Sequence, residues 1–114
     1  MSVMFVYATT ADADEARRIG RQVVEEQLAA CANILPGVTS IFRWQGKLEE
    51  AGEAALILKT TEEKLEPLIA RVKSLHSYEC PCIEALPVVE GNRDFLAWVV
   101  RETGGDPRRS LDPV

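Results

Sequence analysis

Two short runs, Val3-Met4-Phe5-Val6 and Ala54-Ala55-Leu56-Ile57-Leu58, are apolar at consecutive positions, and they constrain the chain more than any other feature. Successive side chains of a strand point to opposite faces, so a strand with one wet face alternates apolar with polar residues. These runs do not alternate. Both faces of the sheet they build therefore need cover, from helices of the same chain or from other copies of it.

The segments around these runs supply the rest of the sheet and its helices. Val3 to Ala8 reads as a buried first strand, and Asp12 with Glu15 three residues later reads as a capping pair that opens a helix. Ala16, Ile19, Gly20, Val23, Val24 and Leu28 then recur at spacings of three and four, giving that helix one apolar face. Pro36-Gly37 interrupts the next segment. Beyond it, Val38, Ser40, Phe42 and Trp44 alternate with Thr39, Ile41 and Arg43 as a strand should. Gln45-Gly46-Lys47 supplies a reversal, and Glu53 to Lys59 returns as the second strand of a hairpin, with a bulge expected in the acidic stretch Glu49 to Glu53.

Thr60-Thr61-Glu62-Glu63 carries an S/T-x-x-E helix start, and Leu65, Leu68, Ile69, Val72 and Leu75 continue an apolar stripe past Pro67, where a distorted first turn is expected. Cys82 to Val89, with Pro81 and Pro87, reads as a strand towards a sheet edge. Gly91-Asn92 caps a last helix bearing Phe95, Leu96, Trp98, Val99 and Val100. The order β-α-β-β-α-β plus a C-terminal helix predicts an α+β fold of the ferredoxin-like, split βαβ kind, with two helices on one face of an antiparallel sheet. Residues 1–106 are expected to form this single domain and 107–114 a loosely held tail. Three helices are too few to cover both faces, which predicts an obligate oligomer of identical chains.

Composition narrows the partners. With 46% hydrophobic but only 6% aromatic residues among 114, the core is aliphatic and one domain is the limit. A net charge of −5 argues against nucleic acid, which needs a basic face. No apolar run approaches the roughly 20 residues of a membrane span, and the N-terminus lacks the basic start of a signal peptide, so the expected location is the cytoplasm, away from any membrane. Cys31, Cys80 and Cys82 form no even framework, and reduced thiols are expected. Cys31, at the end of the first apolar stripe, reads as an inert buried filler.

Few residues carry chemistry. His76, the only histidine, lies at a helix end beside Tyr78 and Glu79, placed either to ligate a metal or to serve the helix dipole and a carbonyl. Cys80 and Cys82 flank Pro81, and in an extended segment their side chains share a face about 7 Å apart at Cα. Two thiolates so placed suit a soft ion such as Cu(I), with His76 or Glu84 as a third ligand; the competing reading makes them small apolar fillers. Trp44, Lys59, Tyr78, Glu79, Glu84 and Trp98 lie near strand ends, where an oligomer brings them into a cleft between subunits or uses them to seal and rim the interface. No phosphate loop, G-x-S-x-G turn or H-E-x-x-H is present, so no enzyme and no catalytic residue is expected.

Three blocks in register add a resemblance. The stretch from Leu28-Ala29-Ala30-Cys31-Ala32-Asn33 through Trp44-Gln45-Gly46-Lys47 to Glu50, the run Leu56-Ile57-Leu58-Lys59-Thr60-Thr61, and Leu75-His76-Ser77-Tyr78-Glu79-Cys80-Pro81 are similar to the CutA divalent-cation tolerance family. The likeness covers about Val3 to Val100. It implies a ferredoxin-like protomer assembled as a homotrimer, with strands of one subunit extending the sheet of the next, and a link to copper and other divalent cations that folding does not require. The chain departs from the family wording at Ser77, where proline is usual, and at Cys82, where glutamate is usual. The positions of a cysteine and two histidines credited with copper binding in some members read Ala8, Leu75 and His76 here. The function implied is a non-enzymatic cytosolic homotrimer of copper binding and tolerance. The alternative is a trimeric small-molecule sensor or signalling adaptor similar to the PII proteins, with ligand clefts between subunits.

Overall fold

Asp12 sets the first helix by accepting the Glu15 amide on its carboxylate at 2.8 Å, while Glu15 turns back to accept the Ala11 amide at 2.9 Å. In the computed structural model, which describes residues 2–110, the elements follow as β1 (Val3–Thr10), α1 (Ala13–Glu25), β2 (Cys31–Trp44), β3 (Lys47–Thr61), α2 (Glu62–Leu75), β4 (Ile83–Pro87), α3 (Arg93–Glu102) and α4 (Pro107–Ser110). The four strands form one antiparallel sheet in the order β2-β3-β1-β4. This is the split βαβ arrangement, with β4, which ends on Pro87, at an edge.

Pairing register puts alternate residues on each face. Val6, Ala8, Leu56 and Leu58 meet Ile19 and Val23 of α1 and Leu68 and Val72 of α2 in a core with no solvent exposure. Each large aliphatic side chain buried there stabilises by roughly 1.5–3 kcal/mol. Gly20 lets α1 approach the sheet closely, since a Cβ on it would stand 2.9 Å from the Ala32 Cβ. The opposite face is covered only at one end, where α3 buries Val3 and Ala30 beneath Leu96, Val99 and Val100. Phe5, Tyr7 and Ile57 on that face stay half-buried.

The hairpin is longer than the sequence pattern indicates. β2 passes through Pro36-Gly37, which sit as a bulge between the pairs Leu35↔Ala55 and Val38↔Glu53, with Gly37 at φ 79°. The expected bulge at Glu49 to Glu53 is absent, because these residues pair in regular register with Phe42 back to Val38. β3 starts at Lys47 rather than Glu53, after a two-residue reversal with Gln45 at φ 51° and Gly46 at φ 79°. β1 pairs with β3 only from Ala54 to Thr61, so Val38 to Trp44 and Lys47 to Glu53 project as a two-stranded arm beyond the sheet. That arm accounts for the elongated 49 × 26 × 22 Å outline.

Three smaller differences concern ends. Thr61 caps α2 without a side-chain hydrogen bond, and α2 continues across Pro67, whose exposed position leaves the Glu63 carbonyl open to water. β4 runs from Ile83 to Pro87, shorter than the expected Cys82 to Val89. Pro107–Ser110 form a short helix where a tail was expected, and residues 111–114 lie outside the described ones. Asn92 caps α3 by accepting the Asp94 amide at 3.0 Å, and Gly104 at φ 85° closes it.

Candidate functional site

The loop between α2 and β4 carries His76 to Cys82 and is fixed from below by one buried carboxylate. Glu15 Oε2 accepts the Ser77 amide at 2.7 Å while its Oε1 holds Ala11, so a single side chain clamps the β1–α1 turn to this loop. Burial works against the charge on Glu15, but the Ala11 and Ser77 amides and the Ser77 side chain outweigh it and hold the carboxyl below its ordinary pKa. His76 is fully enclosed and continues the clamp. Its Nε2 lies 2.8 Å from the Thr9 carbonyl and its Nδ1 3.1 Å from the Tyr78 amide. A carbonyl only accepts and an amide N–H only donates, which assigns the Nε2–H tautomer and uses both ring nitrogens.

Above the clamp, Tyr78 packs its ring on His76, with centroids 4.7 Å apart, and donates its hydroxyl to Glu53 Oε2 at 2.6 Å. Burial and the Glu53 carboxylate both push the phenol far above its usual range, so it keeps its proton. Glu53 stands where β3 leaves the sheet for the arm. The Tyr78–Glu53 bond thus ties the loop to the arm's base and closes one side of a cavity of about 550 Å³. Phe42 and Trp44 from the arm form its apolar wall, Glu53 and Glu79 bring negative charge, and Cys80 and Cys82 complete the loop side.

Of the predicted cleft residues, the structure gathers Trp44, Tyr78 and Glu79 in this cavity. Glu84 lies beside it, 3.7 Å from Cys82 Sγ. Lys59 does not join them. It projects over the Phe5 ring and hydrogen-bonds Asn33 on the sheet face that α1 and α2 leave open. Trp98 sits on α3 against Phe95, ring centroids 5.7 Å apart.

The expected metal set is not assembled in the protomer. Cys80 and Cys82 line the cavity, but the lone pair of His76 that a metal would need is taken by the Tyr78 amide. Among the described residues no three His, Cys, Asp or Glu side chains are grouped to hold an ion. Nor are the two loop cysteines buried fillers, since both are exposed, and Cys31 is half-buried rather than enclosed. The Cys82 thiol is pushed up by burial first and by the Glu84 carboxylate second. From the sequence Glu15 reads only as a helix cap and Glu53 only as a strand start, not as parts of the site. Glu53 is legible only through the Val38↔Glu53 register, which follows from the bulge at Pro36-Gly37.

An antiparallel four-stranded sheet backed by two helices, with a projecting hairpin arm and an acidic, aromatic cleft at its base, defines a small α+β protein whose site lies on loops and arm rather than in the core. A family model described as CutA1 divalent ion tolerance protein matches residues 4–102, and the chain belongs to that family. It is 50% identical over 99 residues to the divalent-cation tolerance protein CutA of Thermus thermophilus, spanning 87% of this chain and 96% of that protein. It is 45% identical over 95 residues to the CutA of Archaeoglobus fulgidus, spanning 83% and 92%. The solved Thermus thermophilus structure superposes with a TM-score of 0.87 at 48% identity, covering 90% of this chain and 99% of the other. Among the described residues no helix is long and apolar enough to cross a membrane.

Proposed function

We propose that this chain is a non-enzymatic, cytoplasmic homotrimer of divalent-cation tolerance, and that Cys80 and Cys82 are where copper meets it. The observation that carries the metal assignment is the exposure of both thiols in one cavity whose charged side chains are all carboxylates. Paired thiolates select soft Cu(I), whereas the enclosed His76 acts by holding the loop in shape. The donor set fits Cu(I) better than a hard divalent ion, which needs more oxygen ligands than the cavity groups together.

Assembly is supported by the arm. A two-stranded ribbon alone is marginal in water, and this one carries Ile41 at 65% and Leu48 at 71% exposure beyond the last partner strand. Burial of those side chains, and of the half-open sheet face, against other copies supplies the missing cover. Three copies is the number that the family resemblance implies.

Calorimetric titration of the reduced protein with Cu(I), Cu(II) and Zn(II) tests the metal reading. Cu(I) should bind well below millimolar, a binding energy beyond about 4 kcal/mol. Cys80→Ser with Cys82→Ser should abolish it and His76→Ala should only weaken it. Undiminished binding in the double serine variant would remove the assignment. A second reading, a small-molecule sensor of the PII type, is favoured by the cavity itself, whose size falls within the range of organic-ligand sites and whose aromatic wall a metal ion leaves unused.

A further inference from the structure

We propose that the cleft takes a small organic cation, an alkylated ammonium group carried on an apolar body. The proposal rests on the small-molecule reading of the cavity and names the ligand class. About 550 Å³ is room for a ligand of about a dozen or more heavy atoms and far more than a metal ion fills.

The wall chemistry selects the charge. Phe42, Trp44 and Tyr78 present three aromatic side chains to one space, and ring faces attract a poorly hydrated cation such as quaternary ammonium. Trp44 is 46% exposed and Phe42 41%, so both have surface to offer a ligand. Glu53 and Glu79 add negative charge, and no lysine, arginine or histidine lines the cavity among the described residues. An anionic ligand would face two carboxylates without a compensating donor of positive charge. A wholly neutral ligand would take water from those carboxylates without offering them a countercharge.

Glu53 is arranged for this task. Only its Oε2 accepts the Tyr78 hydroxyl; Oε1 has no hydrogen-bond partner among the described residues. The bond fixes the carboxylate without neutralising it, because the phenol keeps its proton. The position of Glu53 at the arm's base then sets the negative charge in the same cavity as the aromatic side chains.

The test uses the full-length chain with Trp98→Phe, so that indole fluorescence reports Trp44, after checking that this variant keeps its fold by circular dichroism. Choline, its neutral isostere 3,3-dimethylbutan-1-ol, and benzyltrimethylammonium are titrated separately. Choline should bind about ten-fold more tightly than the isostere, and benzyltrimethylammonium more tightly still. Glu53→Gln, which keeps an acceptor for Tyr78, should erase the preference for charge, and Phe42→Ala, which leaves the Trp44 reporter in place, should weaken binding of all three. Equal affinity for choline and its isostere would overturn the cation assignment while leaving a small-molecule cleft. Absence of binding by all three probes would overturn the proposal; the small-molecule reading would fall with it only if a fragment screen read by the same Trp44 signal also found no ligand.

Discussion

Tyr78 donates its hydroxyl to Glu53 across 2.6 Å, and this bond couples the loop after α2 to the base of the projecting arm. Both residues are only half-buried, so water can partly replace either partner. Tyr78→Phe should therefore cost about 1–2 kcal/mol rather than the larger penalty of a fully buried orphaned charge. In a double-mutant cycle with Glu53→Gln, measured by urea unfolding, the two positions should couple by at least about 0.5 kcal/mol. Strict additivity would show that the bond does not form in solution.

Glu15 makes stability depend on acid. Its folded pKa is lowered below the ordinary glutamate value of 4.5, so its contribution is present above pH 4.5 and is lost as pH falls through the folded value. The unfolding midpoint in urea should drop below pH 4.5. Glu15→Gln should flatten that drop and cost about 1–3 kcal/mol at neutral pH, because two amides lose a charged acceptor. An unchanged acid profile in the variant would count against the clamp.

Gly20 measures how closely α1 packs. Alanine normally gains about 1 kcal/mol over glycine inside a helix. Here the added methyl meets Ala32 Cβ at 2.9 Å and Leu56 Cδ1 at 3.2 Å, inside normal contact. Gly20→Ala should be net destabilising, by about 1–3 kcal/mol in chemical denaturation. A gain in stability would mean that α1 sits farther from the sheet.

Cys82 links copper to pH. Burial and the neighbouring Glu84 raise its thiol above the usual value of 9.0, so metal must displace a proton throughout the neutral range. Apparent Cu(I) affinity should climb steadily from about pH 6 to 9. Alkylation of Cys82 by iodoacetamide, followed by peptide mass spectrometry, should be slow at neutral pH and faster in Glu84→Gln. An unaltered rate in that variant would remove Glu84 as a cause.

Local signals placed much of the fold correctly. Asp12 and Asn92 as caps, Gln45-Gly46 as the reversal and the apolar stripes of α1 and α2 all act through neighbours within a few residues, which is why they are legible. The arm is different. Glu49 to Glu53 are exposed acidic residues with no apolar alternation, and only their pairing with Val38 to Phe42 makes them a strand. The site suffered likewise. Sequence proximity grouped His76 with Tyr78 and the cysteines, but the loop turns the imidazole inward to Thr9 and the thiols outward, and it draws in Glu53 from a distant strand. Within the one chain Lys59 and Trp98 lie apart from this cavity, on the half-covered sheet face and on α3.

The claim on which the assembly reading depends is that the outer side of the arm and the half-open sheet face are covered by other copies of the chain. Sedimentation equilibrium of the reduced, metal-free protein at micromolar concentration measures this directly. The account predicts a mass of three times the 12.6 kDa chain, with dissociation and unfolding coinciding on heating. A folded species of a single 12.6 kDa chain would contradict it.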